Sequence, residues 1–224
     1  MNRLAEGFGM IAVLDYGTGN LHSVERALAE TGSQVEVTSD FQTAFHAEGL
    51  VIPGVGEFGR CMRGLRQRRG DELIKARLEK NRPTLGICVG LQILFAGSSE
   101  NESESGVGIF PERIEKLDAP VIPHMGWNQV QAPIKSMLFQ GLDGQRFYFV
   151  HSYARVFDRN NSNQSNNSND SGSIDYLAAS SEHGQKFLAA LEYGSLSATQ
   201  FHPEKSGSAG LRLLVNWVGS LSEF

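Results

Sequence analysis

The sequence predicts an α/β fold: a mostly parallel sheet covered by helices, with antiparallel strands appended to it. In the first half of the chain, short apolar runs alternate with charged segments of helical periodicity. This alternation is typical of parallel strands that helices cover on both faces. Between residues 109 and 191, short strand-like runs are separated by Pro, Gly and Asn, with little helical periodicity. That second pattern favours antiparallel strands joined by turns.

The elements of the first half follow in order from these patterns. Residues 10–14 form a continuous apolar run and are predicted to be a central strand. Asn20 is predicted to cap a helix whose apolar residues recur at helical spacing. Further strands are predicted at 35–37 and 50–52, and a charged helical region at about 60–81. Because ligands of such sheets bind at the carboxyl ends of the strands, we expect the catalytic residues there.

The length of 224 residues fits a single domain with a large shared core. The predicted domain spans residues 10–224, follows an N-terminal tail at 1–9, and closes with a helix from about 209 to 218. Residues 160–173 are all Asn, Ser, Gln, Asp or Gly. A segment without apolar side chains has nothing to bury, so 159–173 is predicted to be a mobile insertion.

Composition excludes several classes of function. A net charge of −5 without a basic run argues against nucleic acid as a partner. No apolar run reaches the roughly 20 residues that span a membrane, and the N-terminal residues do not resemble a secretory signal. Two cysteines do not make a disulfide framework, so we expect the reducing cytoplasm. The six histidines lack metal-ligand spacing and no phosphate-loop signature occurs, so neither metal nor cofactor is predicted.

Cys88 lies in the string Gly86-Ile87-Cys88-Val89-Gly90, with a glycine two residues away on each side. This spacing is typical of a nucleophile elbow, a tight strand-to-helix turn in which a Cβ at the flanking positions would clash. A buried strand is predicted before the cysteine and an apolar helix over 91–95 after it. Cys88 would then lie at a helix N-terminus, which favours the thiolate over the thiol.

His202 and Glu204 supply residue types that complement such a nucleophile. Pro203 biases His202 towards an extended conformation, in which residues i and i+2 point to the same side. Glu204 would then fix the imidazole tautomer while the other ring nitrogen faces Cys88, which is the arrangement of covalent acyl transfer. A structural cysteine and an incidental His-Pro-Glu remain the alternative for either motif alone.

Together with further matching segments along nearly the whole chain, these motifs make the chain resemble the class I (triad-type) glutamine amidotransferases. The elbow and His-Pro-Glu are similar to the whole family, whereas Pro53-Gly54-Val55-Gly56 and His124-Met125-Gly126-Trp127-Asn128 are similar to its histidine-biosynthesis branch. The resemblance implies the family's α/β fold and hydrolysis of L-glutamine to glutamate and ammonia through a cysteinyl thioester. It fails at residues 160–173, where the family has a shorter connection.

The same resemblance assigns further residues to the site. The backbone N–H groups of Val55 and Val89 would form an oxyanion hole. Gln92 lies one turn after Cys88 on the same predicted helix face. The residues implied in glutamine binding are Gly56, Gln92, Glu100, His151, Ser152 and Tyr153.

Nothing in the chain resembles a domain that would accept the ammonia. The resemblance implies a heterodimer with the (β/α)₈ cyclase subunit of an imidazole glycerol phosphate synthase. That cyclase would use the ammonia to make imidazole glycerol phosphate and aminoimidazole carboxamide ribotide. The residues implied at the interface are Asn20, His124, Met125, Trp127 and Lys205.

Two alternatives stay open at this stage. The chain could serve another amidotransferase, for anthranilate, aminodeoxychorismate or pyridoxal phosphate synthesis, although the two branch-specific segments argue against this. It could also be an inactive subunit acting as a scaffold, against which stand the intact Cys88, His202 and Glu204. Copurification with the cyclase and a glutaminase assay separate the three hypotheses.

Overall fold

The computed structural model describes residues 9–157 and 175–224. The predicted N-terminal tail, apart from Gly9, lies outside the described residues, as do all positions of the predicted mobile insertion at 159–173 and its neighbours 158 and 174. The strands of the described residues are, in chain order, β1 (Ile11–Leu14), β2 (Val35–Thr38), β3 (Gly49–Gly54), β4 (Thr84–Cys88), β5 (Phe95–Ser98), β6 (Asn101–Ser105), β7 (Phe110–Lys116), β8 (His124–Gln129), β9 (Arg146–His151), β10 (Tyr153–Ala154), β11 (Leu177–His183), β12 (Gln185–Tyr193) and β13 (Leu196–Thr199).

Six α-helices and two 3₁₀ turns lie among the described residues. Helices α1 and α6 pack together, and α2 packs on α4. Among the described helices, none is both long and apolar enough to cross a membrane. The helices are α1 (Leu21–Ala29), α2 (Phe41–His46), α3 (Phe58–Gln67), α4 (Gly70–Glu79), α5 (Val89–Gln92) and α6 (Gly207–Ser220), with 3₁₀ turns at Pro203–Lys205 and Leu221–Glu223.

The main sheet has seven strands in the order β11-β12-β13-β4-β3-β1-β2. Strands β1 to β4 and β13 run parallel, while β11 and β12 add to one edge in antiparallel fashion. The central strands β1, β3 and β4 are buried along their whole length, as their continuous apolar runs predict. The predicted fold class, a mostly parallel sheet with appended antiparallel strands, is confirmed.

Strands β5 to β10 do not join the main sheet. For β7 to β10, which lie between residues 109 and 191, this is contrary to the prediction. Strands β10, β7, β5 and β6 form a second sheet, in which β5 and β7 are parallel, and β8 pairs with β9 in a separate two-stranded ribbon. Short apolar runs identify strands, but they do not specify partners, because pairing is decided by contacts distant in sequence. Only β11 and β12 are appended as the sequence predicts.

Three local predictions also need correction. The charged region at 60–81 is two helices, because Arg69 has a φ of 56° and ends the helical path before Gly70. The helix after the elbow covers only Val89–Gln92, since Phe95 already begins β5 and pairs with Phe110. Asn20 occupies the N-cap position of α1, but its side chain makes no capping hydrogen bond.

A buried arginine of α4 anchors the start of the strand that carries Cys88. The Arg77 side chain is fully buried and donates to the carbonyl oxygens of Ala44, Ala47 and Pro83 at 2.9, 2.9 and 2.6 Å, and to Thr84 Oγ1 at 3.3 Å. Burial lowers the pKa of its guanidinium to about 9. Carbonyl dipoles at the end of α2 thus solvate this cation in place of water.

Candidate active site

Three neighbouring strands of the main sheet bring the predicted catalytic segments together. Strands β3, β4 and β13 are adjacent, and Gly54 at the end of β3 is the register partner of Cys88 at the end of β4. Strand β13 ends at Thr199, which pairs with Ile87, so the segment up to His202 emerges beside the elbow. The candidate site therefore lies at the carboxyl ends of parallel strands, as predicted.

The turn at Cys88 has the strained geometry that its two glycines predict. Cys88 has a φ of 56° and stands between β4 and α5. A Cβ placed on Gly86 would overlap the carbonyl oxygen of Gly90, and one on Gly90 would overlap the carbonyl oxygen of Ile52. The prediction that side chains at the two flanking positions would clash is confirmed. The thiol is held, nearly buried, at the first turn of a helix.

His202 and Glu204 form a buried pair. His202 Nδ1 lies 2.7 Å from Glu204 Oε1, and their side chains are 2% and 1% exposed. His202 is extended, but Glu204 lies in the 3₁₀ turn Pro203–Lys205, not in the extended segment that was predicted. The two side chains still meet, because the turn folds Glu204 back beneath the ring. The other ring nitrogen, Nε2, is buried without a hydrogen bond of standard geometry to any described residue.

The electrostatic surroundings favour a charged imidazole at His202. Burial lowers its pKa, but the negative charge of Cys88 and the hydrogen bond to Glu204 outweigh burial and raise the pKa to about 10. At neutral pH the ring therefore keeps both protons and lies beside the Cys88 sulfur. A proton donor and a nucleophile are thus in place together before any substrate binds.

A cavity of about 450 Å³ opens in front of Cys88 and His202. Its lining contains both predicted oxyanion residues and every residue predicted to bind glutamine. Glu204 lies behind His202 and is not part of the lining. The predicted residues that share the cavity are Asn20, Val55, Gly56, Cys88, Val89, Gln92, Glu100, His151, Ser152, Tyr153, His202 and Lys205.

Close packing holds Pro53 and Gly54, which precede Val55, against the elbow. The hydroxyl of Tyr16 donates to the carbonyl oxygen of Pro53 at 2.6 Å. A Cβ on Gly54 would lie 2.7 Å from the backbone nitrogen of Gly90, so only glycine fits between the two segments. Two backbone segments with N–H groups therefore flank Cys88 at the cavity, which is the setting that an oxyanion hole requires.

The far wall of the cavity carries a second group of histidines. His151 Nδ1 lies 3.0 Å from the carbonyl oxygen of Tyr153, and its Nε2 lies 3.2 Å from Nδ1 of His124. Burial lowers the pKa of His151 to about 3 and that of His124 to about 4. These rings are neutral at physiological pH. His124, predicted at a partner interface, instead has a buried side chain that stacks on Phe149.

Of the other predicted interface residues, Asn20 and Lys205 line the cavity, whereas Met125 and Trp127 lie on β8. Met125 and Trp127 are 63% and 46% exposed on the outer face of β8. The Trp127 ring approaches the position of a Cβ on Gly207 to 3.9 Å, which places it near the exposed Lys205. The Met125 and Trp127 side chains are both large, apolar and exposed, and the prediction that they contact a partner stays a prediction.

Two structural roles in the site were not foreseen. Glu100 accepts a hydrogen bond from the backbone of Phe58 at 2.8 Å, and burial raises the pKa of this carboxyl group. Gln200, which the sequence analysis did not assign to the site, donates from Nε2 to Cys88 Sγ at 3.7 Å. No local pattern reveals that contact, since the two residues are 112 positions apart. In residues 9–157 and 175–224 no cluster of His, Cys, Asp or Glu is arranged to hold a metal.

Comparison with known proteins agrees with this geometry. The family model "Glutamine amidotransferase class-I" matches residues 12–218. The "Imidazole glycerol phosphate synthase subunit HisH" of Nocardia farcinica is 54% identical over 217 residues, covering 94% of this chain and 98% of the relative. The protein of the same name from Thermobifida fusca is 51% identical over 214 residues, with the same two coverages.

Solved structures support the fold alone. The structure of PurLQS from Thermotoga maritima matches with a TM-score of 0.69 at 16% identity, over 95% of this chain and 98% of that chain. A crystal structure of a glutamine amidotransferase matches with a TM-score of 0.68 at 18% identity, over 93% and 98% of the two chains.

Proposed function

The chain belongs to the class I glutamine amidotransferase family, and we propose that it hydrolyses L-glutamine to glutamate and ammonia through a thioester on Cys88. The observation that carries the proposal is the buried His202–Glu204 pair beside Cys88, at one end of a cavity of about 450 Å³. Cys88 and Glu204 raise the pKa of His202 to about 10, so at neutral pH the imidazole carries the proton that the departing nitrogen needs.

In the first half-reaction, Cys88 Sγ forms a bond with the carboxamide carbon of glutamine, and the carbonyl electron pair moves onto oxygen. The backbone N–H groups of Val55 and Val89 stabilise this oxyanion. The oxyanion collapses, the carbon–nitrogen bond breaks, and His202 Nε2 gives its proton to the departing nitrogen, which leaves as ammonia. Glu204 holds the ring in place throughout.

In the second half-reaction, water attacks the thioester carbon and passes a proton to the now neutral His202. The carbon–sulfur bond breaks, so glutamate leaves and the Cys88 thiolate and charged His202 are restored. Gly56, Glu100 and the segment His151–Ser152–Tyr153 line the rest of the cavity. We assign to them the amino-acid head group of the substrate.

We further propose that the ammonia passes to a cyclase subunit and that the chain works in histidine biosynthesis. Relatives that are 54% and 51% identical carry the name of an imidazole glycerol phosphate synthase subunit, and this chain spans 98% of each. The cyclase would dock on Met125 and Trp127 and close the cavity mouth near Asn20 and Lys205. Identity at this level over nearly the whole chain disfavours the anthranilate, aminodeoxychorismate and pyridoxal phosphate alternatives. The site also needs a reduced thiol, which the cytoplasm preserves.

The test is copurification with the cyclase, followed by glutaminase assays on the chain alone, with the cyclase, and with the cyclase plus its nucleotide ligand. We expect stepwise activation. Docking of the cyclase would turn an N–H of the loop 53–56 towards the oxyanion, and one such donor adds about 10²–10³ in rate. Full activity of the isolated chain would contradict the switch but not the chemistry. Absence of glutamate release from the liganded complex would contradict the proposed function and favour an inactive scaffold.

A further inference from the structure

Gln200 lies in the strand-end segment between β13 and His202, and its side chain reaches the nucleophile. The residue is fully buried, its backbone N–H donates to the carbonyl of Ala189 at 2.8 Å, and its Nε2 lies 3.7 Å from Cys88 Sγ. This separation suits a hydrogen bond to sulfur, whose larger radius lengthens the contact. The roles assigned so far leave this amide without a function.

The orientation of the amide is determined by a chain of hydrogen bonds. The carbonyl oxygen of Tyr153 can only accept, so the Gln92 atom 2.8 Å from it is the nitrogen. That same nitrogen lies 3.1 Å from an atom of the Gln200 amide, which must therefore be the oxygen Oε1. The remaining Gln200 atom, the one that faces Cys88, is consequently the N–H donor.

A second donor secures the Tyr153 carbonyl from the other side. His151 is neutral, and its Nδ1 lies 3.0 Å from the same carbonyl oxygen, so Nδ1 carries the proton. Nε2 of His151 then accepts from Nδ1 of His124. Every member of this series has one possible role, and the series ends with an N–H group pointing at the sulfur.

We propose that Gln200 is a catalytic residue whose side-chain N–H stabilises the Cys88 thiolate, and that Gln92 is the positioning residue that holds Gln200 in this orientation. The inference rests on the proposed function, in which Cys88 is the nucleophile. His202 supplies a proton and a charge, whereas Gln200 supplies a neutral donor that remains after His202 has given its proton to ammonia. In the second half-reaction the same N–H stabilises the sulfur as it leaves the thioester.

The test measures alkylation of Cys88 by iodoacetamide from pH 4 to 11 on the full chain, with the labelled cysteine identified by peptide mass spectrometry. Gln200→Met keeps the length of the side chain and removes the donor. We expect the midpoint, the pH at which the alkylation rate is half its maximum, to rise by about one pH unit in this variant. Below the wild-type midpoint alkylation should be about ten-fold slower, and at high pH its rate should be unchanged. Gln200→Glu replaces the donor by a negative charge and should raise the midpoint further.

Thr199→Val is the matched control, because it removes a buried hydrogen bond of the same segment, from Oγ1 to the Phe201 carbonyl at 2.9 Å. It should lower the melting temperature and leave the midpoint unchanged. Gln92→Leu, which frees the Gln200 amide to rotate, should give a smaller rise than Gln200→Met. Wild-type midpoints in both Gln200 variants, or a rise in Thr199→Val equal to that in Gln200→Met, would overturn the proposal.

The glutaminase activity of the alkylated wild type separates the two levels of inference. Loss of activity together with an unshifted Gln200→Met midpoint would overturn the role of Gln200 and leave the thioester mechanism in place. Full activity after complete alkylation of Cys88 would instead remove the nucleophile and the proposed function with it.

Discussion

The two walls of the cavity hold buried histidines in opposite charge states. On the elbow side, the pKa of His202 is raised to about 10. On the far side, the pKa values of His151 and His124 are lowered to about 3 and 4. All three side chains are nearly buried, so burial alone does not decide the charge of an imidazole.

The partners of each ring decide it. Burial lowers the pKa of all three histidines, but His202 faces the charge of Cys88 and the carboxylate of Glu204. His151 contacts the Tyr153 carbonyl and His124. His124 contacts His151, Asn128 and the stacked ring of His183. A proton on either ring would meet no anion among these contacts, and the nearby His183 lowers the pKa of both rings further. The wall with Cys88, His202 and Glu204, the charged wall, is suited to moving protons. The wall with His151 and His124, the neutral wall, is suited to holding backbone and amide groups in fixed orientations.

The largest effect is expected from removing the nucleophile of the charged wall. Cys88→Ala should lower glutaminase turnover by about 10³-fold or more, because no other group of the elbow can form the thioester. The pKa of His202 should fall, since its main anionic neighbour is lost. Glutamine turnover and the NMR titration of the imidazole measure the two effects. Synthesis from added ammonia and binding of the cyclase serve as controls and should persist.

A smaller loss is expected when the orienting carboxylate is changed instead of the base. His202→Ala removes the group that moves protons, whereas Glu204→Gln leaves it in place without its anionic support, 2.7 Å away. At saturating glutamine, Glu204→Gln should lose about ten- to a hundred-fold less activity than His202→Ala. Equal losses would show that Glu204 has a role beyond orientation.

The charged wall is the part that the sequence predicts. Gly86, Cys88 and Gly90 impose a steric constraint within five residues, and His202 and Glu204 are two positions apart. Such local patterns survive folding because few distant contacts can change them. The geometry departs only where the chain turns earlier than expected, at Glu204 and at Phe95.

The neutral wall and its amide series are not predictable in this way. Gln92 meets Gln200 across 108 positions, and His124 meets His151 across the β8–β9 ribbon. Arg77 is likewise an ordinary charged residue of a helix until α2 and β4 surround it with carbonyl groups. Each of these interactions depends on strand pairing or helix packing that no short window of sequence encodes. The burial of the His124 side chain, which was expected at a partner interface, depends on the same kind of pairing.

The neutral wall should make the protein sensitive to acid. Unfolded histidines bind protons near pH 6.5, but His124 and His151 in the folded state do so only near pH 4 and 3. Below pH 6.5 the unfolded state therefore binds more protons, and stability falls as the pH falls. Between pH 6.5 and 5 each histidine should remove about 1.6 kcal/mol from the free energy of unfolding. Urea titrations should show that His124→Phe loses about half as much stability over this interval as the wild type.

The smallest effect, and the most direct test of the comparison, is expected from one substitution in the neutral wall. Asn128 Nδ2 lies 3.3 Å from His124 Nε2 and 2.8 Å from the carbonyl oxygen of Glu182. Asn128→Asp places a carboxylate against the ring, as Glu204 stands against His202, and gives up the hydrogen bond to Glu182. The pKa of His124 should rise towards that of an unburied histidine, because the charged ring gains an anionic partner. At pH 7 we expect a loss of about 1 kcal/mol in the free energy of unfolding. Between pH 7 and 5 this variant should lose less stability than the wild type.

NMR titration of the His124 ring measures the change in its pKa directly, with Asn128→Ala as the control that removes the donor without adding charge. A His124 pKa that stays near 4 in Asn128→Asp would mean that burial, and not the partner, decides the charge of these rings.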